Sequence, residues 1–244
     1  MKKLLLASIF TLLTGGCAGI PTTPDGFNKK TIETEHFSFY VLEKKDFQTG
    51  KPLRIYIEGD GNPNPKISTA LEMAKQDNYP NVIYMARPCQ YIDNDICSNS
   101  ALYTSARFHR ELIREMEELT TFIMKKHKTP QVEFVGYDGG ATIALLLSTK
   151  IPTTQIITVT GILDTNTLDN LHAETLNPAD YKDLIARVPQ VHFVGGKDEI
   201  TTKRQAERFV GRMKNPRSAK VKVLPNMKHT GWENIKFDFY SVSE

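Results

Sequence analysis

The chain has 244 residues, 40% of them hydrophobic and 24% charged, which is ordinary globular composition and enough for one large domain or two small ones. The 31 Lys plus Arg against 28 Asp plus Glu give +3, no electrostatic footprint for nucleic acid. The composition also excludes disorder, collagen-like repeats and a multispan membrane protein, and three cysteines are too few for a small disulfide scaffold.

Lys2 and Lys3 precede an apolar run, Leu4 to Leu13, followed by Thr14-Gly15-Gly16-Cys17. About ten residues at ~1.5 Å each cannot cross a hydrocarbon core ~30 Å thick, so the pattern reads as a secretory signal with small residues at its cut site. An ordinary secreted protein or a buried helix is the alternative. The stretch resembles the bacterial lipobox, in which the Cys becomes the lipidated first residue. That resemblance implies a signal peptide over residues 1–16, lipidation at Cys17 and membrane attachment through two lipid anchors. Ala18 after the Cys implies an outer-membrane address, facing the periplasm. Loss of Lys2 and Lys3 leaves 29 basic against 28 acidic residues, a balance of +1.

An exported chain can keep disulfides. With Cys17 lipidated, Cys89 and Cys97 remain in one loop. A bridge between them would contribute roughly 2.5 kcal/mol on the loop-entropy account. Free thiols are the alternative, and two Cys without neighbouring His make a poor zinc site.

Residues 17–34 are polar, with Pro21, Pro24 and Gly26, and read as a lipidated Cys plus flexible tether. The domain is expected over 35–244. His36 to Leu42, Leu53 to Ile57 and Asn81 to Ala86 have strand composition. Phe108, Leu112, Met116, Leu119 and Ile123 recur at the period of an amphipathic helix. Thr104 or Ser105 is the expected cap, and Lys125, Lys126 and Lys128 before Pro130 favour its end.

Val132 to Val135 reads as a strand and Gly140 to Leu147 as a buried helix. Ile156 to Val159 and Val191 to Val194 read as further strands. Thr202 with Gln205 makes a capping-box start to a helix whose Ala206, Phe209, Val210 and Met213 share a face. Val221 to Leu224 is the last expected strand, and a segment containing Trp232 and Phe239 is expected to pack as a helix. Strands separated by helical segments predict one α/β domain with a mostly parallel sheet.

In such sheets chemistry collects at the carboxyl ends of strands. The first expected site is Gly136-Tyr137-Asp138-Gly139-Gly140, the shape of the G-x-S-x-G nucleophile elbow with Asp138 in the Ser position. Asp198 follows the strand at Val191, and His229 follows the strand at Val221. Elbow, acid, histidine is the chain order of the α/β-hydrolase fold.

From Tyr56 to His229 the chain resembles a family of bacterial α/β-hydrolase-fold proteins, often lipoproteins. The residues that carry the resemblance are YIEGDG at Tyr56, ARPCQY at Ala86, TSARF at Thr104, GYDGGA at Gly136, GILD at Gly161 and VGGKDEI at Val194. In that family the elbow commonly carries Ser, in a Ser–Asp–His triad. The resemblance implies Asp198 as the acid and His229 as the base. It also implies an oxyanion loop of Gly59, Asp60 and Gly61, with the Gly139 N–H as second donor.

Asp at the elbow leaves three readings. A carboxylate attacks saturated carbon and gives an alkyl ester that a His-activated water hydrolyses, as haloalkane dehalogenases and epoxide hydrolases of this fold do with G-x-D-x-G. Against acyl carbon it would give an anhydride. The second reading is a catalytically inactive, hydrolase-like protein with a binding or structural role. The third is that Asp138 holds His229 by a salt bridge while the pocket does some other general-base chemistry. The segment from Asp164 to Arg187 has room for a small excursion rather than a cap domain, and Asp164 rivals Asp198 as the partner of His229. The other histidines have ordinary explanations, and Trp232 reads as a packing residue.

The expected protein is therefore a catalytic α/β-hydrolase domain acting on a small-molecule substrate that the sequence does not name. No metal or organic cofactor is implied, and no protein partner is deducible.

Overall fold

In a computed structural model of the chain, the described residues are 22–60, 65, 68–92 and 100–235. An eight-stranded sheet runs through them in the order β1-β2-β4-β3-β5-β6-β7-β8. Its strands are β1 (Phe27–Glu33), β2 (Ser38–Lys44), β3 (Leu53–Ile57), β4 (Val82–Met85), β5 (Val132–Tyr137), β6 (Thr153–Val159), β7 (Gln190–Gly195) and β8 (Ala219–Leu224). β2 is antiparallel to both β1 and β4, and every pairing from β4 through β3 to β8 is parallel.

The strands β3, β4 and β7 are buried along their whole length and are mostly apolar, whereas the edge strand β8 alternates Lys with Val and is only partly covered. Along β3, Leu53, Ile55 and Ile57 pack into one apolar layer while Tyr56 packs into the other. The first layer receives α2 (Arg110–His127) and much of α3 (Gly139–Leu147). On the same side α5 (Lys203–Gly211) packs with Ala141 and Leu145 of α3. The opposite layer receives α1 (Thr69–Gln76) and Trp232. The helical periodicity read in α2 is realised: Phe108, Leu112, Met116, Leu119 and Ile123 are all buried. Between β6 and β7 lie short 3-10 turns and the four-residue α4 (Lys182–Ile185), with no cap domain among the described residues.

Three expectations are corrected and one helix is added. The domain starts before residue 35, because Phe27–Glu33 pairs residue for residue with β2 rather than serving as tether. Its charged, one-sided FNKKTIE sequence is that of a protected edge strand, and only Phe27 is buried. The N-cap of α2 is His109, whose Nδ1 accepts from the Glu111 N–H at 3.2 Å, rather than Thr104 or Ser105. Helix α1 was not anticipated, although Ser68 caps it by accepting from Leu71 N–H and Ala70, Leu71, Met73 and Ala74 bury one side. Trp232 lies in a three-residue 3-10 turn, fully buried as a packing residue, with its indole N–H on the Lys228 carbonyl at 2.9 Å. Cys17, Gly61, Cys97 and Phe239 lie outside the described residues.

Candidate active site

The elbow is built by glycines on either side of Asp138. A Cβ on Gly136 would fall 2.5 Å from Ala141 Cα, and one on Gly140 would fall 2.2 Å from the Ile57 carbonyl oxygen. Only hydrogen at these positions lets β5, α3 and β3 approach so closely. Asp138 itself sits at φ 49°, ψ −118°, the strained turn that lifts a side chain off the end of a strand. Its N–H donates to the Val159 carbonyl and its own carbonyl accepts from Ile162 N–H, which ties the elbow to the end of β6. Gly140→Ala is expected to lower stability by at least ~2–3 kcal/mol, measured by urea unfolding, because the obstructing atoms are backbone.

A second glycine pair positions the other two groups. A Cβ on Gly195 would fall 2.4 Å from the Met227 carbonyl, and one on Gly196 would fall 2.6 Å from the Pro225 carbonyl. The loop carrying His229 therefore rests directly on the end of β7, held by Gly196 N–H on Leu224 and Lys197 N–H on Met227. Asp198 and His229 meet as a consequence: Nδ1 of His229 is 3.0 Å from Asp198 Oδ2. Asp198 is fixed in turn by the Ile200 and Thr201 N–H groups, both at 2.9 Å, and by the Thr201 hydroxyl at 2.7 Å. The other ring nitrogen, Nε2, lies 3.4 Å from Asp138 Oδ1.

Asp164 is not the partner of His229. It accepts from the Asn166 N–H and the Asn177 amide and lies 3.9 Å from Arg212. The remaining histidines are occupied elsewhere: His36 pairs with Glu115, His127 with Glu43, His109 with Glu174, and His192 with Thr158 in the core. His172 packs edge-on against His109. His36, Glu111 and Glu115 place ligand-type atoms within 4.8 Å of one another, but Arg114 pairs with both carboxylates.

The oxyanion loop differs from expectation. The Gly59 N–H donates to Glu58 Oε1 at 2.9 Å and is spent. Glu58 is itself buried, bonded by Ser68 and by Tyr84, and burial pushes its carboxyl up from the ordinary value. Asp60 contributes its side chain to the site. That carboxyl lies against Gly139, where a Cβ would fall 2.5 Å from Asp60 Oδ1, and within hydrogen-bonding reach of Asp138. Its other oxygen holds Arg107 Nη1 at 2.8 Å and has Arg87 Nη1 at 3.7 Å. Arg87 and Arg107 were visible in the ARPCQY and TSARF stretches, yet nothing in their spacing pointed to this contact.

The electrostatics divide the three groups sharply. Burial disfavours charge on Asp138, but His229, Asp60 and the Gly139 N–H overcome it and hold the carboxyl below its usual range. Asp198 is likewise lowered, burial being outweighed by His229 and the Thr201 and Ile200 donors. Burial also opposes charge on His229, and the two carboxylates reverse that, pushing its pKa up to about 10. The resting site is thus an imidazolium between two carboxylates. Because the folded value exceeds the unfolded one, the stabilisation is whole below about 6.5 and is lost as pH rises through about 10. Against a His229→Gln variant, the wild type is expected to lose on the order of 2 kcal/mol across that window, after allowance for solvent screening. Parallel Tm curves between pH 6.5 and 10 would contradict the ion-pair assignment.

With this geometry in hand, the fold can be compared with solved ones. Est1E of Butyrivibrio proteoclasticus superposes with TM-score 0.60 at 13% identity, over 82% of this chain and 90% of that one. An α/β serine hydrolase without a lid from Xanthomonas campestris superposes with TM-score 0.58 at 10% identity, over 86% and 88%. The chain has the α/β-hydrolase fold. An α/β serine hydrolase homologue from Coxiella burnetii is similar again, with TM-score 0.59 at 13% identity over 83% and 88%. No protein-family model and no curated protein matches the sequence. In the α/β-hydrolase frame Asp138 occupies the elbow at the end of β5, Asp198 follows β7 and His229 follows β8.

Proposed function

We propose that the protein is a cell-envelope hydrolase in which Asp138 is the nucleophile, His229 the base and Asp198 the group that orients it. The observation that carries this reading is the continuous contact from Asp138 through His229 to Asp198, at 3.4 and 3.0 Å, with the first carboxylate on the elbow. Asp138 attacks an electrophilic saturated carbon, the leaving group departs with the bonding electrons, and an alkyl ester forms on the carboxylate.

The charge arrangement supports that order of events. An imidazolium cannot act as a base, and His229 is protonated in the resting site. Esterification of Asp138 removes one of the two negative charges that hold its proton, so the ring becomes a base only after the first step. His229 releases its Nε2 proton to solvent, and the neutral ring then takes a proton from water attacking the ester carbonyl, while Asp198 keeps Nδ1–H in place. Collapse releases the alcohol with the proton His229 took from water, and the proton of the regenerated Asp138 carboxyl returns to His229, restoring carboxylate and imidazolium.

The lipid anchor at Cys17, the signal peptide over residues 1–16 and an outer-membrane address facing the periplasm belong to the same proposal, on the strength of the N-terminal sequence. So does a Cys89–Cys97 bridge, supported by the burial of Cys89 at the start of the loop that ends at Cys97.

The test uses soluble protein starting at Ala18, as wild type and as Asp138→Ala, on one panel of acyl esters, haloalkanes and epoxides. Turnover of a haloalkane or epoxide that vanishes with Asp138 is the expected result. Silence from both proteins over the whole panel would transfer the reading to a non-catalytic binding role.

A further inference from the structure

We propose that the end of the sheet opposite the candidate active site is a docking surface for anionic phospholipid headgroups, so that the domain lies on its membrane with the elbow turned away from the bilayer. The inference rests on the lipid-anchored reading of Cys17 and specifies how the domain sits once anchored.

The net charge of only +3 conceals a separation of charge along the strands. Six segments lead into the parallel strands β3 to β8, over residues 45–52, 77–81, 128–131, 148–152, 186–189 and 215–218. They carry Lys45, Lys51, Lys128, Lys150, Arg187 and Arg217, all exposed, against Asp46 and Asp77. Asp77 is already held by the buried Arg54 at 2.9 Å, whereas none of the six cations has an ion-pair partner among the described residues. At the other end, where the same strands leave the sheet, stand Glu58, Asp60, Asp138, Asp164 and Asp198. The molecule therefore has a basic end and an acidic end that carries the elbow. Cations in the last turn of a helix complement its dipole, which accounts for Lys125 in α2. That explanation does not reach Lys45 and Lys51, which lie between two strands, or Arg217, which lies well beyond the end of α5.

The basic end also has a recess shaped for such a headgroup. A cavity of about 440 Å3 is walled by Lys125, Lys128 and Lys150 together with apolar Met124 and Ile151, and Glu117 is the one acid among its described walls. Thr129 is a further wall residue, and its hydroxyl is buried without a partner. Ammonium groups beside an apolar floor suit a phosphate whose other side is an acyl ester.

Strand β1 decides which end meets the membrane. It is antiparallel to β2, and β2 to β4, with Phe27 opposite Lys44 and Glu43 opposite Ile83. Phe27 therefore enters the sheet at the basic end. Cys17 lies ten residues earlier, at most about 35 Å of extended chain. A lipid on Cys17 holds the basic end within reach of the headgroups, where each Lys or Arg inside a Debye length of the surface adds its attraction. The carboxylates at the far ends of the strands are kept away from the same negative surface.

The experiment is vesicle sedimentation with unlipidated protein starting at Ala18, which retains every described strand and helix. The vesicles are phosphatidylcholine alone or phosphatidylcholine mixed with phosphatidylglycerol. Retention is expected on the mixed vesicles only, weakening as salt is added. The combined Lys125→Gln, Lys128→Gln and Lys150→Gln variant is expected to bind about 100-fold more weakly, since each charge near the surface contributes roughly fivefold. The combined Lys197→Gln, Lys203→Gln and Arg204→Gln variant, at the opposite end, keeps wild-type retention. All six side chains are exposed, so both variants are expected to fold. Acetylation of vesicle-bound wild type should spare Lys128 and Lys150 and modify Lys197 and Lys203. Equal retention on uncharged vesicles, equal loss in the two variants, or no retention at all overturns the proposal. Capture by double-stranded DNA in place of vesicles overturns it in favour of nucleic acid. The mass of Cys17 in membrane-extracted full-length protein reads the anchor separately: a lipidated Cys17 with a domain indifferent to vesicles would leave the anchor standing and remove the docking surface.

Discussion

Asp138→Ala is expected to reduce turnover of alkyl substrates by at least ~10,000-fold, since it removes the atom that bonds to carbon. The fold should survive. Apart from the adjacent Gly139 N–H, the Asp138 carboxylate makes no cap bond to α3, and the elbow is held by backbone contacts to Val159 and Ile162 and by the glycines on either side. Alanine at φ 49° retains the strain already present with Asp, and the unpaired His229 loses an ion-pair partner rather than a packing contact. The His229 pKa should fall towards its ordinary value in the variant, because one of the two charges raising it is gone. Steady-state assays and a histidine NMR titration check the two halves. Activity within tenfold of wild type would mean that some other group bonds to the substrate.

His229→Ala separates the two chemical steps and is the second large effect. The nucleophile remains, so alkylation proceeds; the base for hydrolysis is missing, so the ester accumulates. The expected result is one equivalent of substrate added to the protein, located by peptide mass mapping at Asp138, with turnover reduced by at least ~1,000-fold. A variant that turns over normally, or that loses activity without gaining mass, would contradict the assignment of His229 as the base of the second step. Asp198→Asn should behave as a weaker version. It leaves the ring in place but weakens the hold on Nδ1–H now provided at 3.0 Å.

The inner strands were legible because they are buried on both faces and so consist mostly of short apolar runs. Leu53 to Ile57 and Val191 to Val194 are apolar enough to be read directly. β1 was missed because it is an edge strand: Lys29, Lys30 and Glu33 make its sequence as polar as a tether. Helix α1 is too short for a period to emerge, and its cap at Ser68 stands after a Pro-rich stretch. The Asp138, Asp198 and His229 positions were legible because chain order and strand ends are properties of sequence. The contacts of Asp60 were not. Its Asp-Gly context is that of an ordinary turn, and its partners Arg87, Arg107 and Asp138 arrive from three other elements. The occupation of the Gly59 N–H by Glu58 depended on the same long-range packing, through Ser68 and Tyr84.

Isotope placement tests the central claim most directly. Wild-type protein in excess over an epoxide or haloalkane is allowed a single turnover in water enriched with oxygen-18, and both product and protein are analysed by mass. If Asp138 is the nucleophile, the new product oxygen comes from its carboxylate, and the heavy oxygen appears in the peptide containing Asp138. Heavy oxygen in the first-turnover product, with none retained at Asp138, would show that water attacks the substrate directly and that the elbow carboxylate does not bond to carbon.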